Sequence, residues 1–82
     1  MTKSTVKLLE SLFDNEMSHG DGLQFTATQV QQKCINEGLI EVVQKTTGGG
    51  GYIFKYSRIV LTPKGRTAYM QWCAKHYEEE GN

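Results

Sequence analysis

The sequence predicts one small α+β domain, and three patterns indicate it. Apolar residues recur at three- and four-residue steps across 6–17, which is the spacing of an amphipathic helix. Two runs, 39–44 and 52–61, are rich in β-branched and aromatic residues, as strands are. Thr62-Pro63 combines a capping residue with a proline at the first helical position, so we expect a last helix to begin there.

The composition favours a folded protein of the cytoplasm. Of the 82 residues, 38% are hydrophobic and 22% charged, which excludes a disordered tail. No apolar run approaches the roughly 18 residues of a membrane span, and the first residues lack the apolar segment of a secretion signal. Cys34 and Cys73 are too few for a disulfide scaffold and are expected to be reduced core thiols. We expect one domain over 1–82, with an ordered core of about 4–77 and no membrane partner.

The first helix is predicted over 4–18, where one face carries the apolar stripe. Gly20 and Gly22 interrupt the pattern, and 23–25 forms a short extended segment at most. Eight residues separate Met17 from the next helical pattern. That is too few for another full helix with a turn at each end, because a helix rises only about 1.5 Å per residue.

The second helix is predicted to begin at a capping box formed by Thr26 and Gln29, which have the required spacing. Gly38 is the expected stop, because glycine readily takes the left-handed conformation that ends helices. Ala27 and Cys34 are assigned to the buried face. The exposed face is then formed by Thr28, Gln29, Gln32, Lys33 and Asn36.

Two antiparallel strands and a third helix complete the predicted domain. The segment 45–51 contains four consecutive glycines and is expected to be a flexible connection between the strands. The third helix follows Thr62-Pro63, and its apolar stripe is predicted to consist of Ala68, Tyr69, Trp72, Cys73 and His76.

The second strand alternates aromatic residues with aliphatic ones. Tyr52, Phe54 and Tyr56 share one face, while Ile53 shares the other face with Ile59, which is expected to pack on the helices. Strand twist is expected to tuck Phe54 under a neighbouring helix. Tyr52 and Tyr56 are candidates for a protein interface or for stacking.

Two stretches resemble parts of winged-helix domains. Asn36-Glu37-Gly38-Leu39-Ile40-Glu41-Val42 resembles the end of a recognition helix that turns into the first strand of a wing. Arg58-Ile59-Val60-Leu61-Thr62-Pro63-Lys64-Gly65-Arg66 resembles the second wing strand and the last-helix start of MarR- and PadR-type regulators. The short chain is also similar to the small phage- and prophage-associated winged-helix proteins of the YjcQ kind. The resemblance implies a small winged helix that binds DNA, with the supporting helix of the helix-turn-helix reduced or absent.

Positive charge is concentrated where the wing is expected. Five cations and no acid lie between 45 and 66, although the formal net charge of the chain is zero. Lys45, Lys55 and Arg58 are predicted to neutralise DNA phosphates; alternatively they are edge-strand cations that discourage aggregation. Lys64 and Arg66 lie near a helix N-terminus, where the helix dipole does not favour cations.

The exposed face of the second helix is the predicted base-reading surface. Gln29, Gln32 and Asn36 can each bond an adenine at two points, and Lys33 can bond guanine or phosphate. Thr28 is a second-rank contact. An exposed helix face is polar in any case, so an ordinary solvated surface fits this composition equally well.

No pattern in the sequence indicates an enzyme, a metal site or a cofactor. Cys73 and His76 have the spacing of two ligands on one helix, but zinc needs three or four and no second close pair is present. We therefore expect no catalytic residue and no metal ligand.

Two hypotheses of function follow. The first is a phage- or prophage-type transcriptional regulator that binds double-stranded DNA, dimerising through the last helix around Tyr69, Met70 and Tyr77. The alternative is a winged-helix module that binds a host protein, as an adaptor or inhibitor, and no DNA. The zero net charge, the missing supporting helix and the aromatic strand face favour the alternative.

Overall fold

The computed structural model describes the backbone of residues 1–80 and the side chains of residues 1–77. The predicted end of the ordered core, beyond residue 77, lies outside the described side chains. The elements in chain order are α1 (Lys3–Ser18), β1 (Leu23–Gln24), α2 (Gln29–Asn36), β2 (Ile40–Gly49), β3 (Tyr52–Leu61) and α3 (Pro63–Glu80). This part of the chain is an α+β domain of three helices and one three-stranded antiparallel sheet.

The sheet has the strand order β1-β3-β2 and packs all its core residues on one side. Leu23 pairs with Ile59, and Ile40 pairs with Leu61. Cross-strand partners share a face, so these four side chains point the same way. They meet the helices in a cluster whose fully buried members include Leu9, Leu12, Cys34, Ile40 and Ile59.

The start of α2 corrects the predicted cap, which is Thr28 and not Thr26. The Thr28 hydroxyl accepts from the backbone N–H of Gln31 at 3.3 Å. The side-chain oxygen of Gln31 in turn accepts from the backbone N–H of Thr26 at 2.9 Å and of Ala27 at 3.1 Å. The same side chain donates to the Gln24 carbonyl. Because Gln31 is buried and its amide must be bonded, this network decides the register of the cap.

The end of α2 and the start of α3 form one hydrogen-bonded junction. Gly38 ends α2 as predicted, with a φ of 76°, and the Leu39 N–H bonds back to the Cys34 carbonyl at 2.9 Å. Thr62 caps α3 by accepting from the Gly65 N–H at 3.0 Å. The Thr62 hydroxyl also donates to the Gly38 carbonyl, and its N–H donates to the Leu39 carbonyl at 3.1 Å. The two stretches that carry the sequence resemblance therefore contact each other directly.

The hairpin formed by β2 and β3 is longer than predicted. The expected flexible connection over 45–51 is wrong for 45–49, because these residues pair in register with 52–56. Gly50 and Gly51 alone make the turn, with φ values of 63° and 88°, the left-handed pair that suits a two-residue hairpin loop. Each strand has ten residues and spans about 33 Å. The hairpin accordingly gives the molecule a length of 59 Å against widths of 25 and 18 Å.

α3 packs along α1. Its predicted apolar stripe is half-buried at every position: Ala68, Tyr69, Trp72, Cys73 and His76. The rings of Phe13 and Tyr69 lie 5.2 Å apart between the two helices, and Arg66 pairs with Glu16 at one edge of this contact. Among the residues that the structure describes, no helix combines the length and apolarity needed to cross a lipid bilayer.

The connection between α1 and α2, residues 19–28, contains β1 and no helix. This agrees with the short spacing in the sequence. The order of elements and of strands is compatible with a small winged-helix layout that lacks its supporting helix.

Candidate nucleic-acid interface

α2 presents a polar surface to solvent. All five predicted residues are exposed: Thr28, Gln29, Gln32, Lys33 and Asn36. The last four have the spacing of a single helix face. The other side of the helix is anchored, because Cys34 is fully buried and Gln31 is only 7% exposed. The amide and lysine side chains are therefore carried outward on a fixed backbone.

The three predicted hairpin cations do not share one face. Lys45 pairs with Tyr56, and Arg58 is two residues further along the same strand, so Lys45 and Arg58 lie on the side away from the helices. Lys55 pairs with Thr46 on the side that faces the helices. We call the first side the open face; it is formed by Lys45, Thr47, Tyr52, Phe54, Tyr56 and Arg58.

A groove at the end of β1 brings two of the cations to one place. The last bond between the first strand region and β3 is from the Phe25 N–H to the Ser57 carbonyl, at 3.3 Å. Beyond it lies a groove of about 460 Å³, lined by Gln24, Phe25, Lys55, Tyr56, Ser57 and Arg58. The Arg58 guanidinium lies 5.3 Å from the centroid of the Tyr56 ring. Two positive charges beside an aromatic ring suit a phosphate or a nucleotide.

The other two cations of the basic segment hold the fold together. The Lys64 ammonium donates to the Glu37 carbonyl at 2.8 Å, at the C-terminal end of α2, where the helix dipole favours a cation. Arg66 forms a two-point pair with Glu16, and this hydrogen bonding holds the pKa of the Glu16 carboxyl below its ordinary 4.5. These contacts explain two positions that α3 alone does not favour. The charge left for a partner is on Lys33 and the hairpin.

The tip of the hairpin exposes large apolar side chains on both faces. Tyr52 is 70% exposed, Ile53 77% and Phe54 61%. The prediction that Phe54 is tucked under a helix is wrong, and Ile53 is not buried although it shares a face with Ile59. The helices cover only the base of the hairpin, where the core residues lie. The sequence signal that would have revealed this surface is the strand length on both sides of Gly50-Gly51.

The predicted dimer residues of α3 have different environments. Tyr69 is half-buried against Phe13, and a hydrogen bond with Cys73 together with partial burial raises the pKa of Tyr69 to about 12. Met70 and Tyr77 are exposed, by contrast, and are free to contact another molecule. Tyr69 is therefore better explained as part of the contact between α1 and α3.

The described residues contain no group of three His, Cys, Asp or Glu side chains that could hold a metal ion. Cys73 and His76 lie on α3, where His76 packs against Trp72 with ring centroids 4.0 Å apart. Cys34 is buried in the core, and burial raises the pKa of its thiol. Comparison with protein-family models, curated proteins and solved structures finds no match to this chain.

Proposed function

We propose that this chain is a small winged-helix domain that binds double-stranded DNA, as a transcriptional regulator of the phage or prophage type. One observation carries the proposal. The exposed polar surface of α2 leads through Gly38 directly into a projecting hairpin that bears Lys45, Lys55 and Arg58. No acidic residue lies between 42 and 61, so the projecting part of the hairpin has only positive charge.

In this proposal α2 enters the major groove. Its eight residues extend about 12 Å, which is close to the width of that groove. Gln29, Gln32 and Asn36 read base edges, and Lys33 bonds a phosphate or a guanine. Both ends of α2 are braced without a supporting helix, by the Gln31 network at the start and by Lys64 at the end.

The hairpin supplies affinity that does not depend on base sequence. A groove of the duplex has a phosphate backbone on each side, so cations on both faces of a slim hairpin can contact both backbones. Lys45 and Arg58 on one face and Lys55 on the other fit this geometry. Gly50 and Gly51, with no side chains, keep the turn narrow.

A single domain of this size has little surface for specific binding, so we propose a dimer. Met70 and Tyr77 on α3 are the exposed residues proposed to join the two copies. A two-fold dimer would read two half-sites related by symmetry.

The test is a titration of a mixed pool of labelled duplexes, followed by selection of a preferred site. The variant Gln29→Ala/Gln32→Ala/Asn36→Ala is expected to lose the preference for the selected site and to keep salt-dependent binding. Each mismatched contact typically costs about 1–3 kcal/mol. Absence of duplex binding at low salt would reject the proposal.

A second candidate is a protein-interaction module, which the exposed Tyr52, Ile53 and Phe54 at the tip favour. It predicts that the wild-type chain does not bind duplex DNA at low salt. It also predicts that Ile53→Ser and Phe54→Ser abolish binding to its partner equally, because a protein pocket would take the whole tip.

A further inference from the structure

The open face carries a row of aromatic side chains that the proposed duplex contacts leave unused. Tyr52, Phe54 and Tyr56 alternate along β3, so successive rings stand about 6.6 Å apart along the strand. The ring centroids of Tyr52 and Phe54 are 6.3 Å apart, and their planes differ by 22°. Across the hairpin, Thr47 lies opposite Phe54 and Lys45 lies opposite Tyr56.

The described part of the chain leaves this row uncovered. The sheet residues of the core all lie on the other side, where the helices pack. Tyr52 and Phe54 are more than half exposed, and Tyr56 is 38% exposed. A row of exposed aromatic rings at regular spacing is costly in water unless it serves binding.

Positive charge borders the row at the end nearer the helices. Lys45 is the cross-strand partner of Tyr56, and the Arg58 guanidinium lies 5.3 Å from the Tyr56 ring centroid. The nearest acid on this face is Glu41, four residues before Lys45 along β2. An anionic ligand that can also stack on aromatic rings is therefore complementary to this surface.

We propose that the open face binds single-stranded nucleic acid. Successive bases stack on Tyr52, Phe54 and Tyr56, while Lys45 and Arg58 contact the sugar–phosphate backbone. Stacking platforms of aromatic rings beside cations are the general means by which proteins hold unpaired strands, since every base has a π-face. A duplex cannot use this row, because its bases present edges and not faces to a protein. The inference therefore stands apart from duplex binding by α2.

The experiment measures binding of a labelled oligodeoxythymidine and of an abasic strand of the same length and charge. Phe54→Ala and Tyr52→Ala are each expected to weaken oligodeoxythymidine binding roughly 5- to 150-fold, the effect of losing one stacked base. Phe54→Tyr keeps the ring and is expected to retain the affinity. The matched control is Ile53→Ala, which removes an equally exposed apolar side chain from the other face and is expected to have no effect.

These substitutions lie on exposed side chains, so unfolding in urea is expected to be unchanged within about 0.5 kcal/mol. The proposal predicts tight binding of oligodeoxythymidine and weak binding of the abasic strand. Equal affinity for both strands would overturn it, since charge alone would then explain binding. So would equal losses from Ile53→Ala and Phe54→Ala, which would indicate a protein partner that takes the whole tip. Loss of duplex binding in a separate titration would reject the proposed function and leave this inference in place.

Discussion

The α-carbon of Gly65 packs directly against the carbonyl of Leu39. A β-carbon at position 65 would stand 1.8 Å from that oxygen, far inside any permitted contact. Leu39 follows the end of α2, and Gly65 lies in the first turn of α3, so this approach sets how the two helices meet. It also gives a physical reason why the stretch 61–65 accompanies the turn at 38–40 in the sequence.

Gly65→Ala is therefore expected to destabilise the protein by at least about 2 kcal/mol, because the added methyl forces backbone apart. The measurement is urea unfolding followed by Trp72 fluorescence. Gly49→Ala is the matched control: it has open space around the position and no left-handed φ. It is expected to change the free energy of unfolding by less than about 1 kcal/mol. Equal losses from both variants would contradict the close approach.

Gln31→Ala is expected to cost about 1–3 kcal/mol, because the backbone N–H groups of Thr26 and Ala27 would lose their acceptor. Gln32→Ala on the exposed side of the same helix is expected to change stability by less than about 0.5 kcal/mol. Hydrogen exchange at Thr26 and Ala27 adds a local check. These two amides should exchange faster in Gln31→Ala, and unchanged exchange would show that the capping network is not maintained in solution.

The pair between Glu16 and Arg66 predicts a pH dependence of stability. The pKa of Glu16 is lowered from 4.5 in the folded chain, so the pair stabilises the fold above about pH 4.5. That stabilisation is lost as the pH falls through the lowered value. The pKa of Asp21 is lowered in the same direction by its hydrogen bond with Asn15, so Glu16→Gln should reduce the slope without removing it.

The measurement is the urea midpoint as a function of pH for Glu16→Gln, Arg66→Gln and the double variant. Once either partner is replaced, replacing the other is expected to have little further effect on the slope, because they act as one pair. Both side chains are more than a third exposed or nearly so, and added salt should shrink the effect. Additive changes in the double variant would contradict the pairing.

The sequence predicted the elements well where a local pattern was unique. Gly38 and Thr62-Pro63 mark helix ends that the structure confirms, because no neighbouring residue competes for those roles. The start of α2 was ambiguous, since Thr26 and Thr28 are each followed three residues later by a glutamine. Only the burial of Gln31 against Gln24 decides between them, and that contact belongs to the tertiary structure.

The hairpin shows the other limit of local patterns. Glycines at 48 and 49 weaken the strand signal, yet their partners Ile53 and Tyr52 hold them in the ladder. Alternation assigned Phe54 and Ile53 to opposite faces, but a face is buried only where another element covers it. The length of β2 and β3 relative to the helices, which no local pattern encodes, leaves both side chains in water.

The charge pattern identified the basic segment but could not divide it. Lys64 and Arg66 act within the fold because Glu37 and Glu16, distant in sequence, come to lie beside them. Lys45, Lys55 and Arg58 are left on the hairpin, and their role in binding stays a prediction.

The most direct test of the central claim is the salt dependence of binding to a duplex pool. Wild-type chain should bind with an affinity that falls linearly on a log–log plot of salt, with a slope of about 0.9 per phosphate contacted. Lys45→Ala/Lys55→Ala/Arg58→Ala should flatten that slope by up to about three contacts. Lys3→Ala/Lys7→Ala/Lys75→Ala removes the same charge from exposed helix positions and should leave the slope near the wild-type value. Equal flattening in both variants, or no binding at low salt, would contradict a DNA-gripping hairpin.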